Sequence, residues 1–298
     1  MTLDASTLQV VKAQDRRLKR AERSKLASFG LHATLIAASL IAVFPVFWVL
    51  VTSFKPDARA VEPTPKLFNE SSLDNYARIL AGEKGSFLSW FGNSVLIALL
   101  TTVIAVFLSA TTGYAASRFR FPGKRGLMML FLVVQMFPFA VLIVPLYNIL
   151  LLLGLQGLSI GLVLVYCTTA VPFCTYMLKG YFDTIPSDID EAGRVDGLSP
   201  FGVFWRLVLP LARPGLAVTS FYAFLTAWGE VAFASALLSA ADKSKTLAVG
   251  LQVFVQQNRT EWGHLAAASI LVAIPAVAVF YLVQRFLVTG LASGAVKG

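Results

Sequence analysis

The sequence has 298 residues, of which 57% are hydrophobic and only 14% charged, and its mean hydropathy is +0.72. Soluble domains carry about 25% charged residues, so this composition argues against a soluble enzyme or a nucleic-acid-binding domain, despite a formal net charge of +9. We expect an all-α integral membrane protein that contacts membrane lipid and binds no nucleic acid.

A basic arm occupies residues 1–30 and carries seven Lys or Arg residues before the first apolar segment. Six segments then follow that are long and apolar enough to cross a bilayer, which takes about 20 helical residues. They lie at about 31–53, 93–117, 126–152, 158–178, 209–238 and 265–289. We therefore predict a single transmembrane domain of six helices over residues 31–298, ending in a tail over 290–298.

The distribution of basic residues predicts the orientation of these spans. Most Lys and Arg residues fall in the arm, between spans two and three, or between spans four and five. Cytoplasmic loops carry an excess of Lys and Arg, so we expect these segments and both termini on the cytoplasmic side. The connections at about 54–92, 154–157 and 239–264 then lie on the outer side.

The predicted cytoplasmic connection over residues 183–208 contains two short helices joined by a glycine turn. Ser187 is a candidate N-cap of the first helix, with Asp190 three residues later as its capping-box partner. Gly197 suits the left-handed position at the end of a helix. Ser199 and Pro200 then start the second helix, with proline at its first position.

The two short helices present different surfaces. In the second helix, four apolar residues at helical spacing predict a face at the membrane boundary: Phe201, Phe204, Trp205 and Val208. In the first helix, Ala192 and Gly193 leave a small-residue surface that another protein can approach closely. The connection is therefore either a docking element for a cytoplasmic partner or an amphipathic return to the membrane without one.

Glu230 is the one acidic residue that we place within a span, and an intramembrane carboxylate is costly enough to be a functional candidate. It could act on a translocation path, by gating it or by bonding to sugar hydroxyls, it could couple protons, or it could form a structural contact with a neighbouring helix. Gln135 and Tyr147 in span three are weaker candidates for lining the same path.

The sequence lacks the patterns of several catalytic and metal-binding classes. There is no G-x-x-x-x-G-K-[ST] phosphate loop, so we do not expect this chain to hydrolyse ATP. Cys167 and Cys174 lie seven residues apart on one predicted helix, about 10 Å, which is too far for a disulfide. We predict no catalytic residue, no metal site and no cofactor bound by this chain.

A motif in the connection resembles the EAA loop of ABC-importer permeases. It reads Glu191-Ala192-Gly193-Arg194-Val195-Asp196-Gly197, followed by Leu209-Pro210. Further stretches, at 135–138, 179–182, 246–251 and 284–288, are similar to the MalG-type permeases of maltose and maltodextrin importers. The resemblance covers roughly residue 93 to the end. Gly193 departs from the second alanine of the motif, and Gly229 stands where many sugar permeases carry asparagine.

The resemblance implies a type I ABC importer permease, which is a transport subunit and not an enzyme, in a bacterial cytoplasmic membrane. Its implied partners are a second, MalF-like permease, two copies of a cytoplasmic ABC ATPase that uses ATP and Mg²⁺, and an extracytoplasmic sugar-binding protein. The expected cargo is a maltose-like or maltodextrin-like oligosaccharide. Trehalose and glycerol phosphate remain alternatives, and a proton-coupled secondary transporter is a further one.

The resemblance also assigns residues to contacts. It places the ATPase-docking contacts at Glu191, Ala192, Gly193, Asp196, Gly197, Lys297 and Gly298. It places contacts with the binding protein at Thr246, Gly250 and Trp262. The sister permease would hold most of the sugar site, leaving this chain to form half of the path, for which Glu230, Gln135 and Tyr147 are our candidates.

Overall fold

The computed structural model describes residues 25–56, 71–83, 85–255 and 260–294, with side chains described between 27 and 286. Regular structure in these ranges is helical, apart from isolated bridges such as Gly157 with Leu238. Contacts divide the chain into two units, Met1–Thr52 and Ser53–Gly298. Most of the predicted basic arm, residues 1–24, lies outside the described residues.

The first unit contains nearly all of helix α1 (Lys25–Ser53). The helix is apolar on every side, contains Pro45, and exposes most of its large hydrophobic side chains. A helix that is hydrophobic all round requires an apolar environment, and 27 residues are enough to cross a bilayer. This helix accounts for the predicted first span.

In the second unit, the short α2 (Asp74–Ala81) precedes the long α3 (Phe87–Arg118). Next come α4 (Lys124–Gln135), α5 (Phe139–Leu152) and α6 (Ser159–Phe182). The rest are α7 (Asp188–Val195), α8 (Pro200–Leu211), α9 (Arg213–Trp228), α10 (Ala232–Leu237), α11 (Leu247–Gly250) and α12 (Trp262–Gly294).

Two of the predicted spans are not continuous helices in the structure. Helices α4 and α5 meet at 106°, so the segment predicted at 126–152 is not one straight helix. The bend falls before Pro138, which disfavours a helical conformation at the residue that precedes it. Helices α8 and α9 meet at 83°, and α9 ends at Trp228, well short of the predicted end at 238.

Four described helices, α1, α3, α6 and α12, are individually long and apolar enough to cross a membrane. Counting each bent pair as one span gives the six that the fold class predicts. The core of the second unit is formed where α3 packs along α6, with α9 against both and α12 against α9. Gly113 permits this close packing, since a Cβ there would lie 3.1 Å from the Lys179 backbone nitrogen.

Helix α3 places two groups of residues at opposite ends of the unit. Its 32 residues extend about 48 Å at 1.5 Å per residue. Trp90, near its start, packs with the segment around Asp242 and Gly250. Arg118, at its end, contacts α7 and the residues just before it. The site predicted for the docking partner and the site predicted for the binding protein therefore lie at different ends of α3.

Candidate functional site

Helices α7 and α8 and the turn between them, residues 188–211, form an element that we call the helical hairpin. Its first helix begins after Ser187, as predicted, but the Ser187 side chain makes no capping hydrogen bond. The predicted capping box is therefore wrong. The reason is that Asp190 points into the protein, where it is the one buried acidic residue in the described part of the chain.

Asp190 anchors the helical hairpin to the end of α3. Its Oδ1 accepts a hydrogen bond from the Tyr114 hydroxyl at 2.6 Å, and its Oδ2 accepts one from Arg118 Nε at 2.9 Å. Arg118 Nη2 also donates to the Ile185 carbonyl at 2.9 Å. The Asp190 and Arg118 side chains are only 3% and 10% exposed. A buried charge pair with its remaining hydrogen bonds satisfied fixes one geometry for the hairpin.

A second contact joins the end of α6 to α3 at Asp183. Its Oδ1 accepts from the Ser117 hydroxyl at 2.7 Å, and its Oδ2 pairs with Lys179. Burial opposes ionisation of Asp183, but the hydrogen bonds from Lys179 and Ser117 outweigh it and lower the pKa of the carboxyl group. Asp183 is therefore ionised at neutral pH and holds the two helix ends together.

The turn of the hairpin confirms the prediction for Gly197. This residue has φ +83°, and its N–H donates to the Arg194 carbonyl at 3.0 Å, while the Leu198 N–H donates to the Gly193 carbonyl at 2.9 Å. These two bonds form a Schellman motif. Ser199 then caps α8 by accepting from the Gly202 N–H at 3.1 Å, also as predicted.

Gly193 lies inside the hairpin. A Cβ at this position would stand 2.6 Å from Leu207 Cδ1 and 2.9 Å from Val203 Cγ2, so α7 touches α8 at this point. Gly193 is buried, whereas the other described residues of the predicted docking set are exposed: Glu191, Ala192, Asp196 and Gly197. Lys297 and Gly298 lie outside the described residues.

The predicted apolar face of the second helix divides in two. Phe204 and Val208 are buried against Tyr114 and Phe182, while Phe201 and Trp205 are exposed and stack with ring centroids 6.2 Å apart. A π-helical segment, Phe204–Val208, lies within α8 and changes the residue spacing that the prediction assumed.

Glu230 lies at the break between α9 and α10, and not within a continuous span. Its Oε1 accepts from the Phe233 N–H at 2.9 Å, and its Oε2 accepts from the Ala234 N–H at 3.0 Å and the Tyr166 hydroxyl at 2.7 Å. The carboxylate thus caps α10 and ties the break to α6. Among the three roles considered for this residue, the geometry favours the structural one.

Gln135 and Glu230 both reach the same part of α6. Gln135 Nε2 donates to the Thr169 carbonyl at 2.9 Å, and Thr169 lies one turn from Tyr166. Gln135 is also the last residue of α4, so this bond supports the helix end at the 106° bend. Tyr147 is half-buried and packs against the core from α5.

The residues predicted to contact a binding protein are mostly buried at the other end of α3. Thr246 caps α11 and is buried, and a Cβ on Gly250 would stand 2.2 Å from the Trp90 ring. Trp262, at the start of α12, is 48% exposed. Of the three, Trp262 alone presents a substantial surface.

Sequence reasoning missed Trp90, which organises this end of the unit. Its indole Nε1–H donates to the Asp242 carbonyl at 2.7 Å, and its ring lies between Gly85 and Gly250. Burial opposes ionisation of Asp242, but hydrogen bonds from Ser86 and Lys245 outweigh it and lower the pKa of its carboxyl group. The two glycines, far apart in sequence, gave no signal of a shared contact.

The chain is similar to permeases of binding-protein-dependent transport systems. Residues 105–293 match the family described as binding-protein-dependent transport system inner membrane component. The trehalose transport system permease protein SugB of Mycobacterium tuberculosis is 38% identical over 259 residues, which cover 86% of this chain and 93% of that protein. The maltose/maltodextrin transport system permease protein MalG of Vibrio vulnificus is 36% identical over 290 aligned positions, covering 92% and 97%.

The fold is shared with a solved structure of a bacterial ABC transporter involved in the import of the acidic polysaccharide alginate. The TM-score is 0.74 at 20% identity, over 89% of this chain and 98% of that one. The family match, the related sequences and the shared fold all indicate an ABC-transporter permease. The chain therefore belongs to the family of inner membrane components of binding-protein-dependent transport systems, and as an ABC-transporter permease it is a transport subunit and not an enzyme.

Proposed function

We propose that this chain is the permease subunit of an ATP-driven importer that moves oligosaccharides of the maltose or maltodextrin type across a bacterial cytoplasmic membrane. The observation that carries the proposal is the helical hairpin, whose first helix is polar and is fixed by buried contacts to the end of α3 in an otherwise apolar protein. Its exposed side presents Glu191, Ala192 and Asp196 to a partner.

The hairpin is built to transmit force. The Asp190 contacts with Tyr114 and Arg118 join α7 to α3 through buried, charge-assisted hydrogen bonds. A displacement of the hairpin by a partner therefore moves the end of α3, and with it the α3–α6 core. This is what coupling ATP hydrolysis to a translocation path requires, since energetic coupling travels through rigid, contiguous contacts.

The remaining subunits follow from the resemblance to maltose importers. We propose two copies of a cytoplasmic ABC ATPase that uses ATP and Mg²⁺, one docked on this hairpin, and a second, MalF-like permease that completes the path. An extracytoplasmic sugar-binding protein would dock near Trp262. A structure of similar fold is that of a bacterial alginate ABC transporter in complex with an alginate pentasaccharide-bound periplasmic protein, which supports a partner of this kind.

Fewer observations support a particular sugar than support a carbohydrate as the class of solute. Relatives of similar identity are named for trehalose and for maltose or maltodextrin, and both solutes are neutral carbohydrates. The sequence stretches at 135–138 and 246–251 favour the maltose type. Glycerol phosphate is disfavoured, since a phosphorylated solute needs a basic residue along the path and the predicted spans contain none in their central parts.

A proton-coupled mechanism is the chief alternative. It requires an intramembrane acid that is free to gain and lose a proton. Glu230 is the only candidate we identify, and its carboxylate accepts three hydrogen bonds from Tyr166, Phe233 and Ala234. These three contacts hold the carboxylate in one place between α6 and α10, which favours a structural role for it over proton transfer.

The turn at Gly197 provides the test. Alanine at φ +83° is strained although no atom lies within 4 Å of its Cβ, so Gly197→Ala should distort the Schellman turn by steric strain in the backbone alone. Gly180→Ala is the matched control, since Gly180 is helical and equally open. We expect Gly197→Ala and Glu191→Ala, but not Gly180→Ala, to reduce maltotriose-stimulated ATP hydrolysis by the complex that copurifies with the tagged chain.

The proposal fails if both variants assemble with the ATPase and hydrolyse ATP as fast as the unmodified complex. A complex that responds to trehalose and not to maltotriose would keep the transport mechanism and replace the sugar.

A further inference from the structure

A pocket of about 570 Å³ opens beside the connection between α3 and α4. Three of its lining residues are uncharged: Phe121, Gly123 and Met128. The other four are cationic: Arg120, Lys124, Arg125 and Lys179. We call this the basic pocket. It lies at the same end of α3 as the helical hairpin, and nothing in the proposed transport mechanism uses it.

The positive charge of the basic pocket is largely uncompensated. Lys179 pairs with Asp183, and Lys124 Nζ donates to the Phe119 carbonyl at 3.3 Å. Arg120 and Arg125 are exposed, and neither forms an ion pair with an acid in the described part of the chain. Several cations that converge on one concavity raise the local concentration of anions.

The start of α4 adds to this potential. The helix follows Gly123 without a side-chain cap, and its first turn contains Lys124 and Arg125 and no acid. Cations are unfavourable at a helix N-terminus because of the helix dipole. The chain therefore places positive charge here at a cost, and a bound anion would offset it.

The rest of the lining indicates what kind of anion fits. Phe121 and Met128 give the pocket an apolar wall beside its cations. From there α4 continues through an apolar run that includes Leu130, Leu132 and Val133, all exposed. A soluble anion would gain nothing from this surface, whereas a phospholipid carries both a charged headgroup for the cations and acyl chains for the apolar helix.

We propose that the basic pocket binds the headgroup of an anionic phospholipid, with Arg120 and Arg125 as its main cationic contacts and the acyl chains along α4. Lys179 links the pocket to the junction of α6 and α3, because it lines the pocket and also holds Asp183 at the end of α6. A phosphate in the pocket competes with Asp183 for Lys179, so lipid composition acts on the contact that joins the end of α6 to α3.

The test measures lipid retention by the full chain purified in detergent, using native mass spectrometry. The probes are phosphatidylglycerol and phosphatidylcholine with identical acyl chains, and inorganic phosphate as a competitor. Arg120→Gln with Arg125→Gln removes two pocket charges. Arg206→Gln with Arg213→Gln removes two exposed charges outside the pocket. Arg120→Lys with Arg125→Lys keeps the charge and controls for folding.

We expect the unmodified chain to retain phosphatidylglycerol over phosphatidylcholine. In the pocket Gln variant, the ratio of retained phosphatidylglycerol to phosphatidylcholine should fall by on the order of tenfold. The Lys variant and the Arg206 and Arg213 variant should keep it. An undiminished preference in the pocket Gln variant would overturn the proposal, as would equal retention of both lipids by the unmodified chain.

Two other results would reassign the site. Displacement of phosphatidylglycerol by inorganic phosphate at equal concentration would indicate a site for a free anion and overturn the lipid assignment. Loss of ATPase copurification in the pocket Gln variant with an unchanged lipid preference would instead make the pocket a protein contact, which also overturns it.

Discussion

Gly193 controls the distance between the two helices of the hairpin. A Cβ here meets Leu207 Cδ1, which can turn aside, and Val203 Cγ2, which belongs to a stiff β-branched side chain. We expect Gly193→Ala to lower the stability of the purified chain by about 1 kcal/mol, because overpacking of about 1 to 3 kcal/mol exceeds the gain in helix propensity. The midpoint of thermal unfolding measures this.

Val203→Ala provides the compensating change for Gly193→Ala. It removes the methyl group that the new Cβ would meet, so the double variant should be more stable than the sum of the two single effects. Additive effects would show that α7 and α8 are not in contact at this point.

Glu230 holds a broken segment together, and its neutral isostere tests that role. In Glu230→Gln an amide NH₂ replaces one acceptor oxygen and faces a backbone N–H of Phe233 or Ala234. We expect a loss of about 1 to 3 kcal/mol in stability, the cost of unsatisfied buried donors. The pH profile of sugar uptake should keep its shape in this variant, since the proposed mechanism assigns Glu230 no proton transfer. A profile that becomes flat in the variant would support proton coupling.

At the scale of elements, the hairpin depends on one buried charge pair. Removing either partner leaves the other charge buried and unpaired, which costs about 3 kcal/mol or more. We therefore expect Arg118→Met and Asp190→Asn each to destabilise the chain strongly and to reduce ATPase copurification. The double variant should be less destabilised than the sum, with a coupling energy on the order of 1 to 3 kcal/mol.

The ion pair between Lys179 and Asp183 is the matched comparison for the Arg118 and Asp190 variants. It is more exposed, with side-chain exposures of 26% and 43%, so Lys179→Met should cost no more than about 1 kcal/mol. If it cost as much as Arg118→Met, the buried pair would have no special part in anchoring α7.

Local signals made some elements of the hairpin predictable. Gly197 and Ser199 act through bonds to residues three or four positions away, so the sequence alone indicated the turn and the start of α8. The sequence around Asp190 also matches a local capping pattern. In the structure, however, its partners are Tyr114 and Arg118, which lie more than 70 residues away. The stronger, buried contact prevails over the local one, and no local pattern could have revealed it.

The same difference explains the two broken spans. Hydropathy depends on composition, so it located the apolar segments, but it does not register where a helix bends. Pro138 was one of several prolines, and Pro45, Pro172 and Pro275 remain inside helices. The break after Trp228 turns Glu230 from an acid inside a span into the cap of α10. Its structural role followed only once that break was known.

At the scale of the whole molecule, α3 separates two ends that the proposal assigns to opposite sides of the membrane. One end carries the hairpin and the basic residues of the α3–α4 connection. The other carries Trp90, the segment around Asp242, and Trp262. The excess of basic residues at the first end favours the cytoplasmic side for it.

Cysteine labelling tests this orientation. The two native cysteines, Cys167 and Cys174, are buried, so the unmodified chain should give little background with a membrane-impermeant maleimide. Val195 on the hairpin is 88% exposed and Trp262 is 48% exposed, which makes both positions suitable for a single introduced cysteine. We expect intact cells to label Trp262→Cys and not Val195→Cys, and permeabilised cells to label both. Labelling of Val195→Cys from outside would place the hairpin on the outer side, where no ATP is available, and would exclude its proposed role in coupling.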